Sequence, residues 1–90
     1  MAKFIAVCTF TPDATMEAIT ALAPAERAVA AELQAAGRVA AIYIALPRRT
    51  VFIEVTAADV TAAEATIHEL PMAPLWNLDV YPVSAPPAAV

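Results

Sequence analysis

Glu69-Leu70-Pro71-Met72-Ala73-Pro74-Leu75-Trp76-Asn77-Leu78-Asp79-Val80-Tyr81-Pro82-Val83 decides the fold. A helical pattern stops at its Leu-Pro step, because Pro71 fixes its own φ and disfavours helix at Leu70. Trp76, Leu78 and Val80 then alternate with Asn77, Asp79 and Tyr81, the two-residue period of a strand. A helix therefore hands over to a last strand across a short apolar bridge.

Upstream of this stretch the chain supplies the partners of that strand. Phe4, Ala6, Cys8 and Phe10 share one side of a first strand, with Ile5, Val7 and Thr9 on the other, so neither face should meet water. Thr11-Pro12-Asp13 offers a capping hydroxyl followed by Pro at a first helical position, which predicts a helix beginning near residues 12 to 15. Pro24 is expected to interrupt it before Ala25 to Ala36 resumes, with Val29, Leu33 and Ala36 on one face. Gly37, the only glycine, stands where a left-handed residue would end that helix. Val39 to Leu46 and Thr50 to Val55 read as two strands joined by the Pro47-Arg48-Arg49 turn, an antiparallel hairpin. Asp59 or Thr61 caps a second helix whose core stripe is Val60, Ala63, Ile67 and Leu70. The order is βαββαβ: an α+β, ferredoxin-like domain over residues 1–83, with a four-stranded antiparallel sheet covered by both helices on one face. The tail over 84–90, with two prolines in Ser84-Ala-Pro-Pro-Ala-Ala-Val90, is expected to be flexible.

Ninety residues can hide only about 60% of the surface of the unfolded chain, so the core is limited. Apolar residues make up 61% of the chain, but 24 residues are alanine, so bulk must come from Phe4, Phe10, Ile42, Tyr43, Phe52, Ile53, Trp76 and Tyr81. The uncovered sheet face would carry Ile5, Val7, alternate residues of the second strand, and either Val51, Ile53 and Val55 or Phe52. Such a patch predicts that a second copy covers it, in a homodimer or higher homo-oligomer.

The charge balance narrows the function classes. A net charge of −4, with no basic cluster beyond Arg48-Arg49, argues against nucleic acid. The apolar run Phe4 to Phe10 is too short to span a membrane and is not followed by a cleavage pattern, so a cytoplasmic location is expected. The single Cys8 lies in an apolar strand and reads as a buried small hydrophobe. One His and one Cys sixty residues apart give no metal-ligand spacing, and one glycine makes no phosphate loop, so neither metal nor cofactor is expected.

The chemical candidates are few. Glu54, the only acid in Val51-Phe52-Ile53-Glu54-Val55, is a candidate proton carrier if it faces the interior, or a solvated residue if it faces out. Asp79 has the same ambiguity on the last strand, and His68, one position off the apolar stripe, reads as a solvated helix residue. Tyr43 and Tyr81 offer hydroxyls that could orient a ligand oxygen. Arg48 and Arg49 could pair with a ligand carboxylate, although a hairpin turn usually leaves such charges in water.

Leu33-Gln34-Ala35-Ala36-Gly37, the acid-bearing strand Val51 to Val55 and the bridge Leu70-Pro71-Met72-Ala73-Pro74 leading to Asp79-Val80 together carry a resemblance to the muconolactone isomerase family, from residue 3 to residue 83. The resemblance implies a ferredoxin-like subunit paired into a dimeric α/β barrel. It also implies a cofactor-free 1,3-proton shift that moves a double bond in a lactone during aromatic catabolism. Glu54 falls where the family has an aspartate and would keep its acid-base role. The family's second strand carries basic residues, whereas this one reads Val39-Ala40-Ala41-Ile42-Tyr43-Ile44-Ala45, which suits a less polar substrate. The expected protein is an isomerase-like enzyme for a small cyclic or aromatic-derived metabolite. Glu54 is its expected proton carrier, and Tyr43, Trp76, Tyr81 and Arg48 contact its substrate. The alternatives are a non-catalytic small-molecule-binding or structural oligomer, and a cofactor-independent monooxygenase or cyclase of the same fold.

Overall fold

The alternation in the first strand decides how the layers stack. Phe4, Ala6 and Cys8 are buried while Ile5 and Val7 are half-buried, so one side of the strand packs against helices and the other does not. The computed structural model, which describes residues 1–85, orders the chain as β1 (Ala2–Phe10), α1 (Met16–Ala35), β2 (Val39–Ala45), β3 (Thr50–Ala57), α2 (Val60–His68) and β4 (Trp76–Val83). The strands form one antiparallel sheet in the order β2-β3-β1-β4. This is the expected ferredoxin-like βαββαβ arrangement. Short 3₁₀ turns at Leu46–Arg48 and Ala73–Leu75 close the hairpin and the Leu-Pro bridge. The tail expected to be flexible lies outside the described residues from 86 onward.

Register assigns the side chains to faces. Cys8 pairs with Val51 and Leu78, and Ala6 with Ile53 and Val80, so these residues line the helix side. Val51, Ile53 and Val55 are buried there with Leu33, Ala63 and Ile67 of the helices and with Leu70, just beyond α2. That settles the open alternative for the bare face: it carries Phe52, with Tyr43 and Val7 beside it and Glu54, Ile5 and Tyr81 in the next row. Tyr43 is 59% exposed and Tyr81 55%, and Phe52 is also exposed. The expectation that all three are core residues is therefore corrected. They sit on the sheet face that no helix of this chain reaches.

Helix α1 departs from its predicted course in two respects. Its N-cap is Thr15, whose hydroxyl accepts from the Ala18 N–H at 3.1 Å, because Thr11 to Ala14 is closed into a turn by the Ala14 N–H on the Thr11 carbonyl. It also runs through Pro24 without a break. Proline removes the donor that would have met the Thr20 carbonyl, but Thr20 and Pro24 are both exposed, so water can take that bond. The far end follows the sequence: Gly37 adopts φ +75, and the N–H groups of Gly37 and Arg38 cap the Gln34 and Leu33 carbonyls. Arg38 then reaches across to Glu69 and to the Thr66 hydroxyl (3.0 Å), tying this helix end to the end of α2. Asp59, not Thr61, caps α2. No helix among the described residues is long and apolar enough to cross a membrane.

Candidate functional site

Leu22, Glu26, Val29 and Leu33 follow one another at helical spacing, so an acid stands in phase with the apolar stripe of α1. Because Pro24 does not end the helix, that stripe is continuous from Leu22 to Leu33, with Glu26 within it. Between α1 and the sheet lies a cavity of about 430 Å³, a size suited to a small ring compound. Ile19, Ala23, Glu26 and Ala30 line it from α1, Ile42 and Ile44 from β2, and Val51, Phe10 and Trp76 from the other strands. Met72 of the bridge closes one side and Arg49 of the hairpin another. The exposed side chains of Met16, Ile44 and Leu46 fringe the opening.

Glu26 is the acid of this cavity. Its Oε1 accepts the Met72 N–H at 2.9 Å, so the Leu-Pro bridge both starts β4 and aims a backbone donor at α1. Burial pushes its carboxyl above the ordinary value, and the Met72 bond opposes that shift only in part. Its negative charge also adds to burial in raising the Cys8 thiol to about 12, so Cys8 is an inert core residue and not a nucleophile.

The Phe10 end of the cavity is built from three side chains. Trp76 meets the Phe10 ring edge-on with centroids 5.9 Å apart, and the Arg49 guanidinium lies 6.0 Å from the same ring. Arg49 adopts φ +49 after the hairpin turn, and its Nη2 donates to the Thr11 and Ala14 carbonyls at 3.1 and 2.9 Å. Trp76 is 8% exposed, and its Nε1–H has no hydrogen-bond partner.

The residues singled out from sequence are thus divided between two faces. Trp76 lines the cavity. Glu54, Tyr43 and Tyr81 lie together on the opposite, bare face, where the Tyr43 hydroxyl stands 3.5 Å from Glu54 Oε2, a long contact. The hollow beside Glu54 is only about 50 Å³. Arg48 is exposed in the hairpin, off the cavity wall, while its neighbour Arg49 is on it. Asp79 and His68 are exposed. Sequence reading missed Glu26 because the apolar stripe was begun at Val29; the same helical spacing carried one turn back, within Ala25 to Ala36, reaches it.

A family model described as muconolactone delta-isomerase matches residues 4–89. No individual curated protein matches the chain.

Proposed function

Because the chain belongs to the muconolactone delta-isomerase family, we propose that it catalyses a cofactor-free 1,3-proton shift on a small unsaturated ring compound bound in the cavity under α1. The observation that carries this reading is Glu26: a half-buried carboxyl, raised by desolvation, in the wall of a mostly apolar cavity that Arg27 and Arg49 also line. A carboxylate made more basic in this way takes a proton from the γ carbon of an α,β-unsaturated lactone. The C–H electron pair becomes part of a dienolate, and the carboxylic acid formed returns the proton to the α carbon next to the carbonyl, leaving the double bond between the β and γ carbons. One group serves both steps and no electrons leave the substrate, so the reaction needs no redox partner.

A second reading keeps Glu54 as the carrier. If two copies join their bare faces, Glu54 and Tyr43 become enclosed between subunits, and their proximity supports a shared role there. Self-association is part of both readings, since the bare face exposes Tyr43, Phe52 and Tyr81.

The test is isomerisation of muconolactone and of simpler butenolides, followed by proton NMR in deuterium oxide, which also reports exchange at carbon. Glu26→Gln is expected to lose about 10²- to 10⁴-fold in rate while Glu54→Gln keeps it. The opposite pattern moves the chemistry to the bare face, and full activity in both variants ends the proton-carrier reading.

A further inference from the structure

Between α2 and β4 the chain is tied down residue by residue. Pro71 and Pro74 lock their own φ angles, the Ala73 N–H donates to the Leu70 carbonyl at 3.0 Å, and the Leu75 N–H donates to the Met72 carbonyl at 2.8 Å. The Thr11 N–H, just past β1, donates to the Leu75 carbonyl at 2.9 Å, and the Met72 side chain is buried in the core. Met72 is thus held by its side chain and by its carbonyl. Its remaining backbone group, the N–H, meets Glu26 Oε1 at 2.9 Å, a contact between residues 46 positions apart. Among the described residues Oε2 of the same carboxyl has no hydrogen-bond partner, and Glu26 lines the cavity. The two oxygens of this carboxyl are therefore unequal, one fixed and one free.

We propose that Met72 is a positioning residue for the proton shift: its backbone N–H pins Glu26 Oε1, so that Oε2 alone carries the proton. That role deepens the reading of Glu26 as proton carrier and rests on it. Oε2 takes the proton from the γ carbon of the bound ring, the C–H electron pair passes into the dienolate, and the same oxygen returns the proton to the α carbon. Those carbons are 1,3-related, so an oxygen held between them serves both without the carboxyl turning over. A glutamate side chain has several rotatable bonds, and fixing them beforehand spares the reaction that ordering. A donor on a carboxylate also favours its charged form. Burial alone would keep the base protonated to a higher pH, and the Met72 N–H offsets part of that effect, leaving a group that is more basic than usual and still able to ionise.

A chain of 90 residues is accessible to chemical synthesis, in which an ester linkage at Met72 replaces the backbone N–H with an oxygen and keeps the side chain. The Pro71 carbonyl, which the same change weakens as an acceptor, accepts no hydrogen bond among the described residues. Turnover of a simple butenolide by the ester chain is expected to fall about tenfold to a hundredfold, and the midpoint of the rise of kcat/KM with pH is expected to move up by about one pH unit. The other titratable or charged groups around Glu26 are Arg27 of α1, Arg49 of the hairpin and Cys8 of β1, and the ester alters none of them. A bond that only ties α1 to the bridge would instead lower the melting temperature and leave that midpoint in place, which overturns the proposal. A second measurement needs no altered chain: by NMR of the unmodified protein, the Met72 amide proton is expected to titrate at the same midpoint as the Glu26 carboxyl carbon. A Met72 amide that does not follow Glu26 would also overturn it. Full turnover in Glu26→Gln would overturn the proton carrier and its positioning together, whereas lost turnover in that variant with an unmoved midpoint in the ester chain would overturn the positioning alone.

Discussion

The two faces of the sheet are made from the same four strands and differ in what they do with aromatic and acidic residues. On the helix side, aliphatic residues such as Ile53 and Val55 are buried, one tryptophan is sealed in, and one acid, Glu26, comes from the covering helix. On the bare side, Tyr43, Phe52 and Tyr81 surround an acid that belongs to the sheet itself, Glu54. The difference teaches that an alternating strand fixes which residues share a face, but not which face becomes interior. A helix laid over one side makes that side a core with a cavity; the other side is left open in this chain.

The sharpest way to break this comparison is to truncate one residue on each face. Ile53→Ala is expected to lower unfolding stability by about 2–5 kcal/mol, since its side chain is fully enclosed. Tyr43→Ala is expected to cost under about 1 kcal/mol in the isolated subunit, as for other exposed positions. Chemical denaturation at several protein concentrations separates the two. A Tyr43 cost that grows with concentration measures the partner subunit, and a large cost independent of concentration would mean that the bare face is part of the subunit core.

A smaller effect is expected from charging the bare face. The unmodified chain should scatter light as at least twice its 9.4 kDa mass at micromolar concentration. Phe52→Arg, which places a charge in the middle row of that face, is expected to raise the dissociation constant about tenfold or more, about 1.4 kcal/mol. An unmodified chain that is monomeric throughout would remove the sheet-to-sheet assembly.

The smallest effect is one of sign. The raised carboxyl of folded Glu26 favours its protonated form in the native state. Its contribution to stability is therefore full below the ordinary value of 4.5 and is lost as pH rises through the higher folded value. Glu26→Gln should consequently be more stable than the unmodified chain at pH 7, with the gain fading below 4.5 in thermal melts across pH. A variant that is less stable at pH 7 would mean that the Met72 N–H bond outweighs desolvation.

The sequence by itself determined the element order, because each boundary has a local cause: Gly37 in the left-handed region, Asp59 on the first turn of α2, Pro71 after the last. It also determined which strand residues alternate, since the period of two is a property of the extended chain. Tertiary structure decided the rest. The passage of α1 through Pro24 depends on an exposed Thr20 carbonyl that water can satisfy, and that passage keeps Ile19 and Ala23 in line with Glu26 and Ala30 along the cavity. Which of Arg48 and Arg49 reaches the wall follows from a single left-handed residue and two carbonyls some 35 to 38 positions away. Glu54 and Trp76 look equally interior in the strands that bear them, and they separate onto opposite faces because helices cover only one side of the sheet. Such contacts join residues far apart in the chain, so no local pattern of spacing or polarity records them.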